Sequence, residues 1–288
     1  MTKLLLSVLL LATLAYLGIA AALYFVQTSI FFPARMVPAA GPLPPGTERI
    51  ELTAADGIRL EGVLVPASRS GGAGTAILGF AGNASNAAET ALFLASIYPE
   101  YPVIAFHYRG YRPSGGVPNA AALVDDAPLL YGLARERLKP RRLVAVGISI
   151  GSGVAAGLST RRPLDGLILV TPFDSLEAVA AQRFPWLPVS WLIRHRLPSA
   201  DWLRASPVPV AIVAAQHDFV VPPARTTALA DAVGNLARIV TLPGTQHNDI
   251  SYHPAFRGEM RAALKAVLDR ATGPRAGSRL ANSGPEPS

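Results

Sequence analysis

The stretch Leu143–Gly153, LVAVGISIGSG, constrains the fold of this chain more than any other segment. An apolar, β-branched run ends in Gly147-Ile148-Ser149-Ile150-Gly151, and small residues follow. This G-x-S-x-G spacing predicts a tight strand-to-helix turn, because the two glycines leave room where strand and helix nearly touch. The turn would lift the Ser149 hydroxyl above the sheet edge and place the Ile150 amide at a helix N-terminus, where negative charge is stabilised. The pattern favours a nucleophilic serine over an ordinary strand-to-helix turn.

The composition excludes several kinds of chemistry. The chain has no cysteine, which rules out disulfides, thiolate catalysis, cysteine-based metal sites and a lipoprotein anchor. We expect no metal and no organic cofactor. The net charge of +7 comes from scattered arginines, which indicates a solvated basic surface and does not predict a nucleic-acid partner. The length and the 50% hydrophobic content suffice for one sizeable α/β domain.

The N-terminal segment is typical of a membrane helix. Leu4–Val26 carries no charge and would span about 35 Å as a helix. A cleaved signal peptide is the alternative, because Gly18-Ile19-Ala20 and Ala20-Ala21-Ala22 offer small-residue cleavage sites. The apolar run exceeds the roughly 7–15 residues of a signal-peptide core, which favours a retained anchor. Lys3 favours an N-inside orientation, so we expect a single-pass protein with its main domain on the extracytoplasmic side.

The remaining chain divides by composition. We assign the anchor to residues 1–32, a stiff proline-rich linker to 33–47, the main domain to 48–271 and a disordered tail to 272–288. Within the main domain, two short strands joined by Asp56-Gly57 predict an antiparallel hairpin. Nearly continuous apolar strands then alternate with helices, which predicts a mostly parallel central sheet with helices on both faces. The fold class is α/β.

A serine nucleophile needs a base, and the base needs an orienting acceptor. His247 lies in the loop between the last predicted strand and the last helix, a position from which its imidazole can reach the turn at Ser149. His253, which opens that helix, is the fallback. Asp218 lies just after the carboxyl end of a predicted strand, where the ligands and catalytic groups of open α/β sheets gather, so it is the expected acid. Asp174 also follows a strand and is its rival, with capping of the next helix as its structural role.

The loop Phe80–Asn86 follows another predicted strand and is expected to face Ser149. Gly82 lets the backbone approach a substrate closely, and the Asn83 amide can form an oxyanion hole together with the Ile150 amide. The alternative is a Gly/Asn turn in which Asn86 caps a helix.

Residues 184–204 are the expected cap of the domain, a short helical insertion. This aromatic, proline-broken stretch holds Trp186, Trp191 and Trp202. Such a stretch suits a lid over an acyl pocket or a surface that dips into lipid, and ordinary packing against the sheet is the alternative.

Taken together, these motifs resemble those of α/β-hydrolases, and more narrowly the N-terminally membrane-anchored α/β-hydrolase-domain proteins of the bud-emergence and protein-depalmitoylase group. The resemblance covers about residues 25–268. The motifs that carry it are Phe80-Ala81-Gly82-Asn83-Ala84, Tyr108-Arg109-Gly110-Tyr111 with Ser114-Gly115-Gly116, Gly147-Ile148-Ser149-Ile150-Gly151, Thr171-Pro172-Phe173, Asp218 with Val221-Pro222, and Gly244 with His247.

The resemblance implies an α/β-hydrolase fold and a triad of Ser149, Asp218 and His247, with the Asn83 and Ile150 amides as oxyanion hole. One departure affects the oxyanion loop. The family usually has His-Gly-Asn, and its histidine supports the loop, whereas this chain has Ala81 in that position. A second departure is Arg112, where the family has a glycine.

The predicted function is that of a membrane-anchored serine hydrolase of ester or thioester bonds in small-molecule or lipid acyl substrates. A serine peptidase or amidase on the same fold is one alternative. A catalytically inactive, membrane-tethered binding protein is the other. The sequence does not indicate an oligomeric state.

Overall fold

The computed structural model describes residues 1–272 and places a long N-terminal helix beside an α/β domain built on one sheet. The strands are β1 Glu48–Thr53, β2 Arg59–Val65, β3 Thr75–Phe80, β4 Val103–Phe106, β5 Arg142–Ile148, β6 Gly166–Val170, β7 Val210–Ala215 and β8 Leu236–Leu242. The α-helices are α1 Thr2–Phe31, α2 Ala87–Ile97, α3 Ala120–Leu138, α4 Ile150–Ser159, α5 Leu176–Arg183, α6 Val189–Leu192, α7 Ser199–Arg204, α8 Pro223–Ala232 and α9 Phe256–Thr272. Thr272 ends α9, and the rest of the predicted tail lies outside the described residues.

The sheet is mixed and mostly parallel, as the apolar strand pattern predicts. Its strand order is β1-β2-β4-β3-β5-β6-β7-β8. Among the described strands β2 alone runs opposite to the others, because it pairs antiparallel with both β1 and β4. Gly57, at a positive φ of 79°, makes the turn between β1 and β2. Every residue of β3, β4, β6 and β7 is buried, because helices cover both faces of the sheet.

Two hydrophobic cores lie on opposite faces of this sheet. One core gathers apolar side chains of α3, α4, α7 and α8, with Leu123 and Val154 among them. The other gathers side chains of α2 and α9, with Leu94 and Met260 among them. The parallel strands thereby bring the loops that follow β3, β5, β7 and β8 to a single edge, where ligands of open α/β sheets bind.

The insertion between β6 and β7 contains α5, α6 and α7 and lies against the N-terminal helix. The Tyr16 hydroxyl donates to the Trp186 carbonyl at 3.1 Å, and the rings of the two residues are 6.0 Å apart. Both ends of the buried Gln27 amide bind the cap backbone, Oε1 accepting from the Arg194 amide and Nε2 donating to the Leu192 carbonyl. The helix is therefore packed on the domain along the half of its length that follows Tyr16.

The proline-rich segment 33–47 does not hold the helix away from the domain, in contrast to a free spacer. Phe32, just before this segment, is 2% exposed and belongs to the core that contains Leu123 and Val154. Val37 packs against one core and Leu43 against the other. The Asn86 side-chain Nδ2 donates to the Pro38 carbonyl at 3.0 Å. The apolar residues between the prolines bury more favourably on the domain than they remain in water.

Candidate active site

Ser149 occupies a strained turn between β5 and α4. Its backbone has φ 52° and ψ −118°, an unfavourable conformation for a residue with a side chain. The flanking glycines make the turn possible. A Cβ on Gly147 would lie 2.4 Å from the Gly151 carbonyl oxygen, and one on Gly151 would lie 2.2 Å from the Phe80 carbonyl oxygen. The sequence pattern thus reflects two close backbone approaches, and these keep Ser149 at the sheet edge.

A continuous hydrogen-bonded chain joins Ser149, His247 and Asp218. His247 Nε2 is 2.9 Å from Ser149 Oγ, and His247 Nδ1 is 2.7 Å from Asp218 Oδ2. The carboxylate is 4% exposed, and its Oδ1 accepts from the Val220 and Val221 amides at 2.9 and 2.7 Å. Two backbone amides therefore hold the Asp218 carboxylate in place and leave its second oxygen for the imidazole.

The geometry selects one tautomer of His247. An ionised carboxylate only accepts hydrogen bonds, so Nδ1 must donate to Asp218. In the neutral imidazole Nε2 is then unprotonated and accepts from the Ser149 hydroxyl. His247 is therefore oriented so that its Nε2 can accept the proton of the Ser149 hydroxyl.

The loop that carries His247 is held at both ends of its turn. The Gly244 amide donates to Gln216 Oε1 at 2.8 Å, and the Gln246 amide donates to Asp249 Oδ1 at 2.6 Å. Asp249, two residues after His247, thus shapes the turn. None of the described hydrogen bonds joins it to the imidazole.

The alternative acid and base lie elsewhere. Asp174 forms an ion pair with Arg225 at 3.1 Å and accepts from the Ser175 amide, while the Ser175 side chain caps α5. His253 Nδ1 accepts from the Ala255 amide at the start of α9. Neither side chain has a described hydrogen bond to Ser149, His247 or Asp218.

The predicted oxyanion loop lies against the strained turn at Ser149, which we call the elbow. A Cβ on Gly82 would come within 3.9 Å of the Ser149 Cβ. Asn83 follows directly, and the Ile150 amide opens α4 beside the serine. Asn86 caps α2 by accepting from the Ala88 amide at 2.8 Å, so the loop also ends as the turn hypothesis expects.

Two tyrosines that sequence reasoning left without a role hold this loop. The Tyr108 hydroxyl donates to the Ala81 carbonyl at 2.9 Å, and the Tyr111 hydroxyl donates to the Asn83 carbonyl at 2.8 Å. Burial raises the pKa of both hydroxyls, so both remain protonated donors. The loop that contains Ala81 and Asn83 is therefore supported from the 108–111 segment. The Tyr108-Arg109-Gly110-Tyr111 motif was the available signal for this pair.

A cavity of about 400 Å³ opens over Ser149 and His247. The Asn83 loop forms one wall, and Phe93 and Tyr252 contribute aromatic surface. The lining thus combines polar groups at the serine with aromatic surface. Within residues 1–272, no cluster of three or more His, Asp or Glu side chains forms a metal site.

Comparisons with known proteins agree with this fold. The chain is 35% identical over 226 residues to the uncharacterized protein Rv2307c of Mycobacterium tuberculosis, covering 76% of this chain and 79% of the relative. It is 31% identical to the uncharacterized protein YfhR of Escherichia coli, covering 73% and 76%. A shorter match of 32% identity joins 42% of this chain to 37% of the lysophosphatidylserine lipase ABHD12 of Danio rerio. No protein-family model matches the chain.

Solved structures share the same architecture at low sequence identity. An α/β hydrolase from Vibrio vulnificus has a TM-score of 0.68 at 17% identity, covering 85% of this chain and 92% of that structure. The Pyrococcus furiosus esterase Pf2001 has a TM-score of 0.63 at 17% identity, covering 82% and 97%. These solved structures show that the chain has the α/β-hydrolase fold, to which the N-terminal apolar helix is added. The chain belongs to the family of Rv2307c and YfhR, and its fold is that of the α/β hydrolases.

Proposed function

We propose that the protein is a membrane-anchored serine hydrolase that cleaves ester or thioester bonds of acyl substrates. The observation that carries the proposal is the chain from Ser149 Oγ through His247 to Asp218, with distances of 2.9 and 2.7 Å. An inactive binding protein has no need of a strained serine and a buried carboxylate arranged in this way.

The proposed mechanism follows from the hydrogen-bond directions. Ser149 Oγ attacks the acyl carbonyl carbon while His247 Nε2 takes the hydroxyl proton, and the Asp218 carboxylate stabilises the imidazolium. The Asn83 and Ile150 amides bind the oxygen that gains negative charge. His247 returns the proton to the leaving alcohol or thiol as the acyl-enzyme forms. Water, deprotonated by His247, then releases the acid and restores Ser149.

Lipid-type acyl groups are the proposed substrates. The aromatic side chains in the cavity over Ser149 provide apolar surface for an acyl group. A partial match to a protein named as a lysophosphatidylserine lipase supports the same class. Because an amide nitrogen is a poorer leaving group than an alkoxide or a thiolate, ester and thioester substrates are preferred over peptides.

The proposed anchor is α1. Its 30 residues include a window of mean hydropathy 2.4, and the side chains of that window are exposed to the surroundings. Leu9 and Leu14, for example, are 55% and 56% exposed. A continuous apolar surface of this kind is unfavourable in water and favourable in a bilayer. The side of the membrane proposed for the catalytic domain is the extracytoplasmic one, from the Lys3 charge.

The test is covalent labelling with a fluorophosphonate probe, using detergent-solubilised full-length protein. We expect one label per chain on Ser149 and none in Ser149→Ala. His247→Ala should lower the labelling rate and the hydrolysis of p-nitrophenyl esters by at least 1,000-fold, as expected for loss of a triad base. His253→Ala is the matched control and should keep full activity. A folded wild type that takes no label would instead support the inactive binding protein.

A further inference from the structure

An apolar cavity of about 360 Å³ lies between α1 and the cap, apart from the cavity at Ser149. Its walls are formed by Leu23, Ile30 and Phe31 on α1, by Ala180 of α5 with Leu187 of the cap, and by the Phe219–Val220 segment after β7. Among the described residues, the lining of this cavity shares none with the lining of the cavity at Ser149. Its volume falls at the lower end of the range of small-ligand sites, about 300–1,000 Å³.

The position of the cavity along α1 indicates what surrounds it. The cap contacts the helix from Tyr16, through Trp186, to Phe31, which corresponds to about 22 Å of helix axis. Lys3 lies only 13 residues before Tyr16, or about 20 Å along the helix, which is shorter than the roughly 30 Å of a bilayer core. The cap must therefore overlap the lipid leaflet wherever the helix is placed.

The exposed surface of the cap fits this position. Trp191 is 87% exposed and Trp186 is 49% exposed. Tryptophan is enriched where a protein surface meets the lipid interface. Trp202, in contrast, is partly buried and lies near Gly157 of α4, so it is an ordinary packing residue. The three tryptophans of the predicted cap thus divide into two that face outward and one that packs inward.

We infer that the cavity between α1 and the cap binds an acyl chain of a phospholipid from the surrounding bilayer. The inference rests on the proposed membrane anchoring. The apolar walls exclude a polar occupant, and one wall is the anchor helix itself, so acyl chains are the apolar groups present at that depth. Arg183 is the one charged residue in the described lining, and its guanidinium suits the phosphate of a headgroup.

The bound chain would also contact the loop that orients the proposed acid. Phe219 and Val220 line the cavity, and the Val220 amide donates to Asp218 Oδ1 at 2.9 Å. Packing of an acyl chain against these two residues would support the loop whose amides hold the Asp218 carboxylate. The lipid is thus a bound component beside the site and not the molecule attacked by Ser149.

The test uses the full-length protein in liposomes of phosphatidylcholine and phosphatidylglycerol. A phosphatidylcholine carrying a diazirine in its acyl chain is activated by light, and the adducts are mapped by peptide mass spectrometry. We expect adducts on residues 179–193 and 219–220 as well as on α1. Ala180→Phe, which fills the cavity, should reduce the cap adducts at least fivefold. Ala181→Phe is the matched control on the exposed side of α5 and should leave them within twofold.

The remaining arms separate this proposal from the proposed enzymatic function. Ser149→Ala should keep all cap adducts, and the circular dichroism spectra and melting temperatures of both alanine-to-phenylalanine variants check their folding. If Ala180→Phe does not fold, an excess of unlabelled lysophosphatidylcholine should remove the wild-type cap adducts. Adducts on α1 alone, or only on Phe93 and Tyr252 around Ser149, would overturn the lipid site while leaving the hydrolase intact. Absence of adducts on α1 would overturn the anchoring and the lipid site together.

Discussion

Removal of a single tyrosine hydroxyl tests how the oxyanion loop is supported. Tyr111 is 1% exposed, and its hydroxyl donates to the Asn83 carbonyl at 2.8 Å. Tyr111→Phe keeps the ring and deletes this donor. The stability cost should be about 1 kcal/mol, the net value of one such hydrogen bond. A melting temperature a few degrees lower is therefore expected.

The effect on catalysis should be larger than the effect on folding. Complete loss of an oxyanion donor lowers kcat by about 10²–10³. Tyr111→Phe loosens the Asn83 peptide without removing its amide, so part of that loss is expected, roughly tenfold in kcat or about 1.4 kcal/mol. KM should change by less than twofold, because the oxyanion forms only in the transition state. Adding Tyr108→Phe, which frees the Ala81 carbonyl, should lower kcat further.

The assay is p-nitrophenyl ester hydrolysis by detergent-solubilised protein, with the fluorophosphonate labelling rate as a second readout. Tyr101→Phe is the matched control. Tyr101 lies just before β4, beside Arg142 at the start of β5, and so at the opposite edge of the sheet from Ser149. A kcat for Tyr111→Phe within twofold of wild type, or a raised KM at unchanged kcat, would refute the proposed support of the loop.

Three further predictions concern the elbow, a buried histidine and the helix. Gly151→Ala should destabilise the protein by about 3 kcal/mol in urea unfolding, because its Cβ would lie 2.2 Å from the Phe80 carbonyl oxygen. The control is Gly132→Ala in α3, where a Cβ would meet open space. This substitution should stabilise the protein by about 0.5–1 kcal/mol. Burial, assisted by Arg49, lowers the pKa of His107 to about 4, so the neutral form is favoured in the folded state. Stability should therefore fall by up to about 3 kcal/mol as pH drops from 6.5 to 4, and urea unfolding of His107→Gln should lack that part of the fall. Alkaline carbonate should leave the protein in the membrane fraction, and its intact mass should include α1; a soluble protein cleaved after Ala22 would identify a signal peptide instead.

Local patterns in the sequence were enough to predict much of this protein's fold. Continuous apolar strands indicate a parallel sheet because both faces must be covered, and the sheet has that form. The spacing of Gly147, Ser149 and Gly151 predicts the strained turn because only glycine tolerates the backbone contacts that flank it. Order along the chain also singled out Asp218 and His247, since loops after parallel strands meet at one edge of the sheet.

Contacts between distant segments could be decided only by the tertiary structure. No local pattern states that Tyr108 and Tyr111 reach the carbonyls of Ala81 and Asn83, because those bonds join residues 27 and 28 positions apart. The same holds for Gln27, which reads as one polar residue in an apolar helix and yet binds the cap backbone 165 residues away. Hydrophobic periodicity reports which side of an element is buried, but the partner that buries it depends on how the whole chain packs. The strained turn at Ser149 follows from the sequence alone, while the support of the proposed oxyanion loop and the cavity between α1 and the cap follow from the fold.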